Sequence, residues 1–244
     1  MPPSELPQLM HGTRESTARL LLALGTLTAA EARQPSLLPG WTNGHVLTHL
    51  ARNADAMVRG LAGARRGTPT QPYPHGDEGR AADIEAGAGR PAGELVEDVR
   101  SAAQRLDEVW LAMEPPSWDA PVPMRSGPVP AWQTVDSRWR EVEVHRVDLD
   151  LGYGPDGWPA EFTERLLRDL TGPTLAERLP AGVRLLLHAA DTAEEWAVGS
   201  SGSSEVAVYG PSRALACWLA GRVAPVQGLL KTDGAGLPTL APWR

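Results

Sequence analysis

Cysteine is almost absent from this sequence, and its scarcity excludes several kinds of site. Among 244 residues there is one cysteine, Cys217. The chain therefore forms no internal disulfide and no zinc site built from several thiolates. The low cysteine usage favours a reducing cytoplasm as the compartment.

Basic charge and long apolar runs are also scarce. The chain has 23 Lys and Arg against 30 Asp and Glu, a net charge of −7. We therefore expect neither nucleic acid nor an anionic membrane surface as a partner, because both attract basic patches. No apolar run approaches the roughly 20 residues that cross a bilayer. Met1 to Met10 lacks the basic and apolar regions of a signal peptide, so we expect a cytoplasmic protein.

The N-terminal part carries the apolar periodicity of four helices. We predict them at Leu6 to Arg33, about Thr42 or Asn43 to Arg66, Pro91 to Met113, and Trp132 to Leu151. The connection 67–93 is rich in Gly, Pro and Ala, and is either a crossover loop or partly helical near Ala81 to Ala86. Four amphipathic helices with one long crossover predict a four-helix bundle.

The C-terminal part has a different pattern. Glycines and prolines between Gly152 and Pro159 indicate a domain boundary, which divides the chain into a bundle at 1–152 and a second domain at 160–244. In the second domain we predict two helices and three strands, at Glu161 to Leu170, Val183 to Leu187, Glu195 to Val198, Glu205 to Tyr209 and Pro211 to Arg222. The predicted fold class is therefore α+β overall.

The fourth predicted helix carries a narrow polar strip. At about 100° per residue, Arg138, Glu141, His145 and Asp148 share one face. Apolar residues border this strip on both sides: Val135, Val142, Leu149, Val144, Val147 and Leu151. A polar strip between two apolar borders indicates side chains that point into the bundle, where a buried charge needs a partner or a metal.

The second predicted helix offers His49 at the edge of its apolar stripe, so this side chain can face the same interior. Two histidines and one carboxylate, His49, Glu141 and His145, are the ligand types of a catalytic zinc site with one open position. Other interpretations remain: Glu141 and His145 as a surface ion pair at i,i+4, His49 as a hydrogen-bonded core histidine, or His45 and His49 as a rival ligand pair.

Three segments resemble one known family. Gly40–Thr42, His49–Ala54 and Arg140–Leu149 are similar to the mycothiol-dependent maleylpyruvate isomerases, which belong to the DinB-like superfamily of metal-binding four-helix bundles. Shorter matches follow at Glu85–Gly87, Arg105–Asp107, Trp218–Arg222 and Pro242–Arg244. The resemblance covers most of the chain.

The resemblance implies zinc on His49, Glu141 and His145, and mycothiol as a second cofactor. The zinc-bound thiolate of mycothiol would add to the cis double bond of maleylpyruvate. Rotation and expulsion of the thiolate would then give fumarylpyruvate. It further implies that Arg222 binds a carboxylate or stabilises an enolate; alternatively, Arg222 is a cation at a helix C-terminus. Asp148 either orients a metal-bound histidine or is solvated.

Two other functions remain compatible with these residues. One is a mycothiol S-transferase that detoxifies electrophiles with the same thiolate, and the other is a non-catalytic metal-binding regulatory module. In every case we expect Cys217 to be a packing residue. The expected partners are a low-molecular-weight thiol and a small carboxylate substrate, and the expected oligomeric state is a monomer.

Overall fold

The computed structural model describes residues 4–124, 127–200, 204–234 and 236–243. The chain divides into two compact units, Met1–Leu151 and Gly152–Arg244. Helices dominate the first unit and a sheet with helices forms the second, so the predicted α+β fold class is confirmed. No helix in the described ranges is long and apolar enough to cross a membrane. Arg244, which ends one segment of the family resemblance, lies outside the described residues.

The first unit is built on four long helices with two shorter ones between them. They are α1 (Leu6–Leu24), α2 (Ala29–Arg33), α3 (Asn43–Arg66), α4 (Gly76–Ala88), α5 (Ala92–Leu111) and α6 (Gln133–Asp148). Helix α3 packs against α4, α5 and α6, and α1 packs against α5 and α6. Their apolar faces form the core, with fully buried Leu20, Val46, Leu50, Leu61, Val99, Leu106, Trp139 and Val142.

The prediction of one continuous first helix is wrong, because the helix is interrupted between Leu24 and Ala29. Thr28 forms a capping box with Glu31: the Glu31 N–H donates to Thr28 Oγ1, and the Thr28 N–H donates to Glu31 Oε2 at 2.8 Å. A capping box satisfies free N–H groups and so starts a new helix. Leu6 to Arg33 is therefore two helices, α1 and α2.

The connection between α3 and α5 contains a longer helix than the sequence suggested. Helix α4 covers Gly76–Ala88, whereas only Ala81 to Ala86 carried a helical signal. Its C-terminal end lies directly against α3, since a Cβ added at Gly44 would lie 2.1 Å from the Ala88 carbonyl oxygen. Glycine at position 44 therefore permits the approach that holds the C-terminal end of α4 beside the first turn of α3.

A short hairpin precedes α6. Strands β1 (Pro121–Met124) and β2 (Gly127–Pro130) pair antiparallel, with Val122 opposite Val129. No strand was predicted here; a two-stranded ribbon leaves one edge of each strand unpaired and therefore tolerates the prolines of this segment. Helix α6 then ends at Asp148, three residues before the predicted Leu151, because Asp150 has φ of 50°.

The second unit combines a four-stranded sheet with helices. Its elements are α7 (Ala160–Leu170), α8 (Thr174–Arg178), β3 (Val183–Ala189), β4 (Glu195–Val198), β5 (Ser204–Gly210), α9 (Ser212–Leu219) and β6 (Lys231–Thr232). The strand order is β4-β3-β5-β6, with β3 parallel to β5 and the other pairs antiparallel. Helix α9 packs on α7 and on the sheet, and ends at Leu219 rather than at the predicted Arg222.

Candidate metal centre

Three side chains from two helices of the bundle meet at one point. His49 of α3 lies with its Nε2 3.0 Å from Glu141 Oε2 and 3.0 Å from His145 Nε2, both on α6. His145 Nε2 lies 3.2 Å from the same Glu141 oxygen. One possible ligand atom from each residue therefore lies close enough to the other two for all three to bind a single ion. We call these three residues the His49–Glu141–His145 cluster.

The polar strip of α6 points into the bundle, as its apolar borders predicted. Arg138 and Asp148 at its ends are 1% and 0% exposed, and Glu141 and His145 between them are partly buried. His145 Nδ1–H donates to Asp148 Oδ2 at 2.8 Å. This bond leaves Nε2 of His145 to face the cluster, so Asp148 orients the ring.

His49 is almost fully buried and is held from two other directions. The ring of Trp41 packs against it, with ring centres 5.7 Å apart. On its far side, an N–H of Arg80 from α4 donates to His49 Nδ1 at 3.0 Å. The edge of the His49 ring that points at the cluster is therefore Nε2, the same atom that His145 presents.

The electrostatics keep Glu141 ionised. Burial raises the pKa of its carboxyl, but the electrostatic attraction and hydrogen bonds of the neighbouring rings of His49 and His145 outweigh burial, so the pKa falls well below its usual range. Arg138 lies one turn away with Nη1 bound to the Leu50 carbonyl and to Asn53 Oδ1. Burial lowers the pKa of Arg138 to about 10, which leaves it charged at neutral pH.

The pKa values of the two histidines are shifted in opposite directions. Burial lowers the pKa of His49 to about 4, although the neighbouring Glu141 partly offsets it. Burial also lowers the pKa of His145, but the hydrogen bonds to Asp148 and Glu141 outweigh it and the pKa is raised. At neutral pH His49 is therefore a neutral imidazole, the form that binds metals.

The donor set fits a divalent metal. Two imidazole nitrogens and one carboxylate oxygen match the three-ligand sites that catalytic zinc occupies. The carboxylate that accepts from His145 Nδ1–H is the partner that metal-binding histidines commonly have. The rival pair is not assembled, because His45 Nδ1 accepts the Thr42 N–H at the start of α3 and its Nε2 faces Glu85.

Arg222 lies in the second unit, just after α9. The Gly221 N–H donates to the Trp218 carbonyl and the Arg222 N–H to the Cys217 carbonyl, with φ of 84° at Gly221. This is a Schellman motif, which fixes the backbone at a helix end. Cys217 is buried and its Sγ donates to the Arg222 carbonyl at 3.3 Å. Arg222 thus lies beyond the end of α9, and its Nη1 donates to the Ala220 carbonyl.

Two neighbours of the cluster were missed by sequence reasoning. Arg80 and Tyr73 belong to the connection 67–93, where Ile84 is the one buried residue of α4 and leaves no clear periodic signal. The guanidinium carbon of Arg80 lies 5.7 Å from the centre of the Tyr73 ring. Nothing in the spacing of residues 73, 80 and 49 indicates that they meet; only the fold brings them together.

Comparison with known proteins places the chain in a family. A family model described as the mycothiol maleylpyruvate isomerase N-terminal domain matches residues 13–150, more than half of the chain. A crystal structure of the mycothiol-dependent maleylpyruvate isomerase is 26% identical, with a TM-score of 0.88 over 98% of this chain and 97% of that chain.

A histidine-to-alanine mutant of that enzyme matches with 25% identity and a TM-score of 0.87, over the same shares of the two chains. No curated protein sequence gives a significant match. The resemblance read from the sequence is confirmed, and the chain belongs to the family defined by the mycothiol maleylpyruvate isomerase N-terminal domain.

Proposed function

We propose that this protein is a mycothiol-dependent isomerase that converts maleylpyruvate, a cis dicarboxylate, into its trans isomer fumarylpyruvate. The observation that carries the proposal is the convergence of His49, Glu141 and His145 in a chain that resembles such an isomerase over nearly its whole length. The proposed enzyme is a cytoplasmic monomer with a metal-binding bundle at 1–152 and a small α+β domain at 160–244.

Zinc is the metal that we propose for the cluster. His49, Glu141 and His145 would be its three protein ligands, and a fourth position would stay open for a substrate or cofactor atom. A zinc ion there would lower the pKa of a bound thiol, so that the thiol of mycothiol would be a thiolate at neutral pH. Asp148 would keep His145 in the tautomer that presents Nε2 to the ion.

We further propose that Arg222 binds a substrate carboxylate or the enolate that develops when the thiolate adds. A guanidinium suits this role because its planar fork donates two parallel hydrogen bonds to a carboxylate. The Schellman motif at Gly221 supports the assignment, since it holds the backbone of Arg222 in a defined position beyond α9.

The proposal is tested with purified protein assayed on maleylpyruvate with and without mycothiol, with metal measured on the same sample. We expect conversion that requires mycothiol and about one zinc per chain. Arg222→Ala should lose most of the activity and keep its zinc, whereas the control Arg168→Ala, which removes an exposed arginine of α7 paired with Glu164, should behave like wild type.

The alternative outcomes separate the competing functions. Zinc without conversion of maleylpyruvate would reject the isomerase and favour a mycothiol S-transferase that acts on other electrophiles. Zinc without any thiol-dependent reaction would favour a regulatory metal-binding module. Absence of zinc from the wild-type protein would reject the ligand assignment itself.

A further inference from the structure

Arg80 is a cation beside the candidate metal centre that has no carboxylate partner within the described ranges. Its side chain is half-buried, donates to His49 Nδ1 at 3.0 Å and lies over the ring of Tyr73. The neighbouring acid, Glu141, bonds to the two histidines instead. A guanidinium that is partly removed from water without a counterion is a ready anion-binding group.

The contact between Arg80 and His49 is incompatible with a metal on His49. A histidine that binds a metal through Nε2 carries its hydrogen on Nδ1 and usually donates it to an acceptor. His145 follows this rule through Asp148. His49 instead faces a guanidinium, which can only donate hydrogen bonds. The two N–H groups would oppose each other, so metal binding must displace Arg80 from His49.

The charges around the cluster favour an anionic ligand beside it. Arg138, one turn from Glu141, is buried, and its Nη2 has no hydrogen-bond partner in the described part of the chain. With a divalent ion bound, the ion, Arg80 and Arg138 would still carry more positive charge than Glu141, Asp148 and Asp55, the carboxylate that acts on Arg138, carry negative charge. A ligand that brings negative charge would balance this excess.

Tyr73 supplies a second donor next to Arg80. Burial raises the pKa of Tyr73, and the charge of Arg80 only partly offsets this, so the hydroxyl keeps its proton at neutral pH. A protonated phenol and a guanidinium side by side can both donate to one carboxylate.

We propose that Arg80 and Tyr73 form a carboxylate-binding subsite beside the open metal position, and that metal binding frees Arg80 to serve it. The inference rests on the proposed function, because it assigns one carboxylate of a dicarboxylate substrate to this subsite. Arg80 thereby selects for an anionic group next to the reacting double bond, and it serves this role only in the metal-loaded protein.

Two binding measurements test the proposal without the reaction. Zinc affinity is measured by competition with a chromophoric chelator, and binding of succinate to the zinc-loaded protein is measured by calorimetry. Succinate is a dicarboxylate without a double bond, so a thiolate cannot add to it. The variants are Arg80→Ala, Arg80→Lys and Tyr73→Phe, with Arg100→Ala as a control that removes an exposed arginine of α5.

For Arg80→Ala we expect succinate binding to weaken by about 10–100-fold, the effect of losing a charge-assisted hydrogen bond. Zinc affinity should stay equal or rise, because a competitor for His49 is gone. Arg80→Lys should restore part of the succinate affinity. Tyr73→Phe should weaken succinate binding less than Arg80→Ala, and Arg100→Ala should change neither quantity.

Two results would overturn the proposal. Unchanged succinate binding in zinc-loaded Arg80→Ala would show that no carboxylate uses Arg80, and a lower zinc affinity in that variant would make Arg80 a support for the metal site. Different results would reject the proposed function. A wild-type protein without zinc removes both proposals, whereas zinc and Arg80-dependent succinate binding without isomerisation removes only the reaction.

Discussion

Helix α6 carries two glutamates on opposite faces, and only one of them belongs to a candidate site. Glu141 and Glu143 are two residues apart, so their side chains point about 200° apart around the helix. Glu141 meets His49 and His145. Glu143 is fully buried against α1, where it accepts from Ser16 Oγ, and Ser16 Oγ in turn accepts from Trp139 Nε1 at 2.8 Å.

The two faces differ in the burial of the carboxylate and, more importantly for metal binding, in its partners: the Glu141 side chain is 28% exposed, whereas Glu143 is fully buried. Beside Glu143, the Ser16 hydroxyl donates to the carboxylate and itself accepts from the Trp139 indole N–H. Beside Glu141 two ring nitrogens can offer lone pairs to the same point. A buried carboxylate is therefore a site only where other metal-binding atoms converge on it.

The strongest test of this comparison substitutes one residue on each face of α6, a proposed ligand on one and a buried carboxylate on the other. His145→Ala should lower zinc affinity by more than the roughly 10–100-fold that loss of an outer partner causes, because it deletes a direct ligand. Glu143→Gln, on the opposite face, should keep wild-type zinc content. Metal content after dialysis and competition with a chelator give both values. Full zinc retention in His145→Ala would contradict the ligand assignment.

A second prediction concerns acid stability of the metal-free protein. The folded-state pKa of His49, about 4, lies below the 6.5 of an ordinary histidine, so the unfolded chain binds a proton between these values and the folded chain does not. His49 therefore lowers stability as the pH falls from about 6.5 to about 4, by roughly 3 kcal/mol. His145 acts oppositely: its contribution is complete below 6.5 and is lost as the pH rises through its raised pKa.

Substitution of His49 separates its contribution to the pH dependence of stability from that of His145. With metal removed by chelation, denaturant unfolding of wild type and of His49→Gln is compared at several pH values between 4.5 and 7. We expect the difference in unfolding free energy between them to shift in favour of His49→Gln as the pH falls. Parallel stability curves would show that His49 is not a neutral, buried imidazole.

A third prediction addresses the acceptor that orients His145. Asp148→Asn replaces the buried carboxylate with an amide of similar shape and should lower zinc affinity by about 10–100-fold, with helix α6 retained. Far-ultraviolet circular dichroism checks the helix, and chelator competition gives the affinity. Glu143→Gln is again the matched control, because it changes a buried carboxylate on the other face. Equal zinc affinity in Asp148→Asn and wild type would remove the role of Asp148.

Local periodicity made the grouping of the three proposed ligands predictable from the sequence. The strip that contains Glu141 and His145 lies within one helix, so the 100° rotation per residue was enough to group them and to predict that they face inward. His49 could be added because its own helix has a clear apolar stripe. The family resemblance then named the same three residues.

The parts that could not be predicted depend on contacts between distant segments. Arg80 reaches His49 from a helix with one buried residue, Ile84, which leaves no amphipathic pattern to detect. The break at Thr28 depended on a capping box inside an otherwise helical run. The β1–β2 hairpin was not predicted, because prolines are rare in strands although a two-stranded ribbon accepts them on its unpaired edges.

The smallest expected effect concerns the face without a site. Ser16→Ala removes the hydroxyl that donates to Glu143 and accepts from Trp139, and so leaves two buried polar groups each without a partner that they have in the wild type. We expect a loss of about 1–3 kcal/mol in unfolding free energy and unchanged zinc affinity. Denaturant unfolding and chelator competition on the same sample measure both. A loss of zinc affinity with unchanged stability would mean that the two faces of α6 are coupled through the helix, and that the division between a structural and a metal-binding carboxylate is wrong.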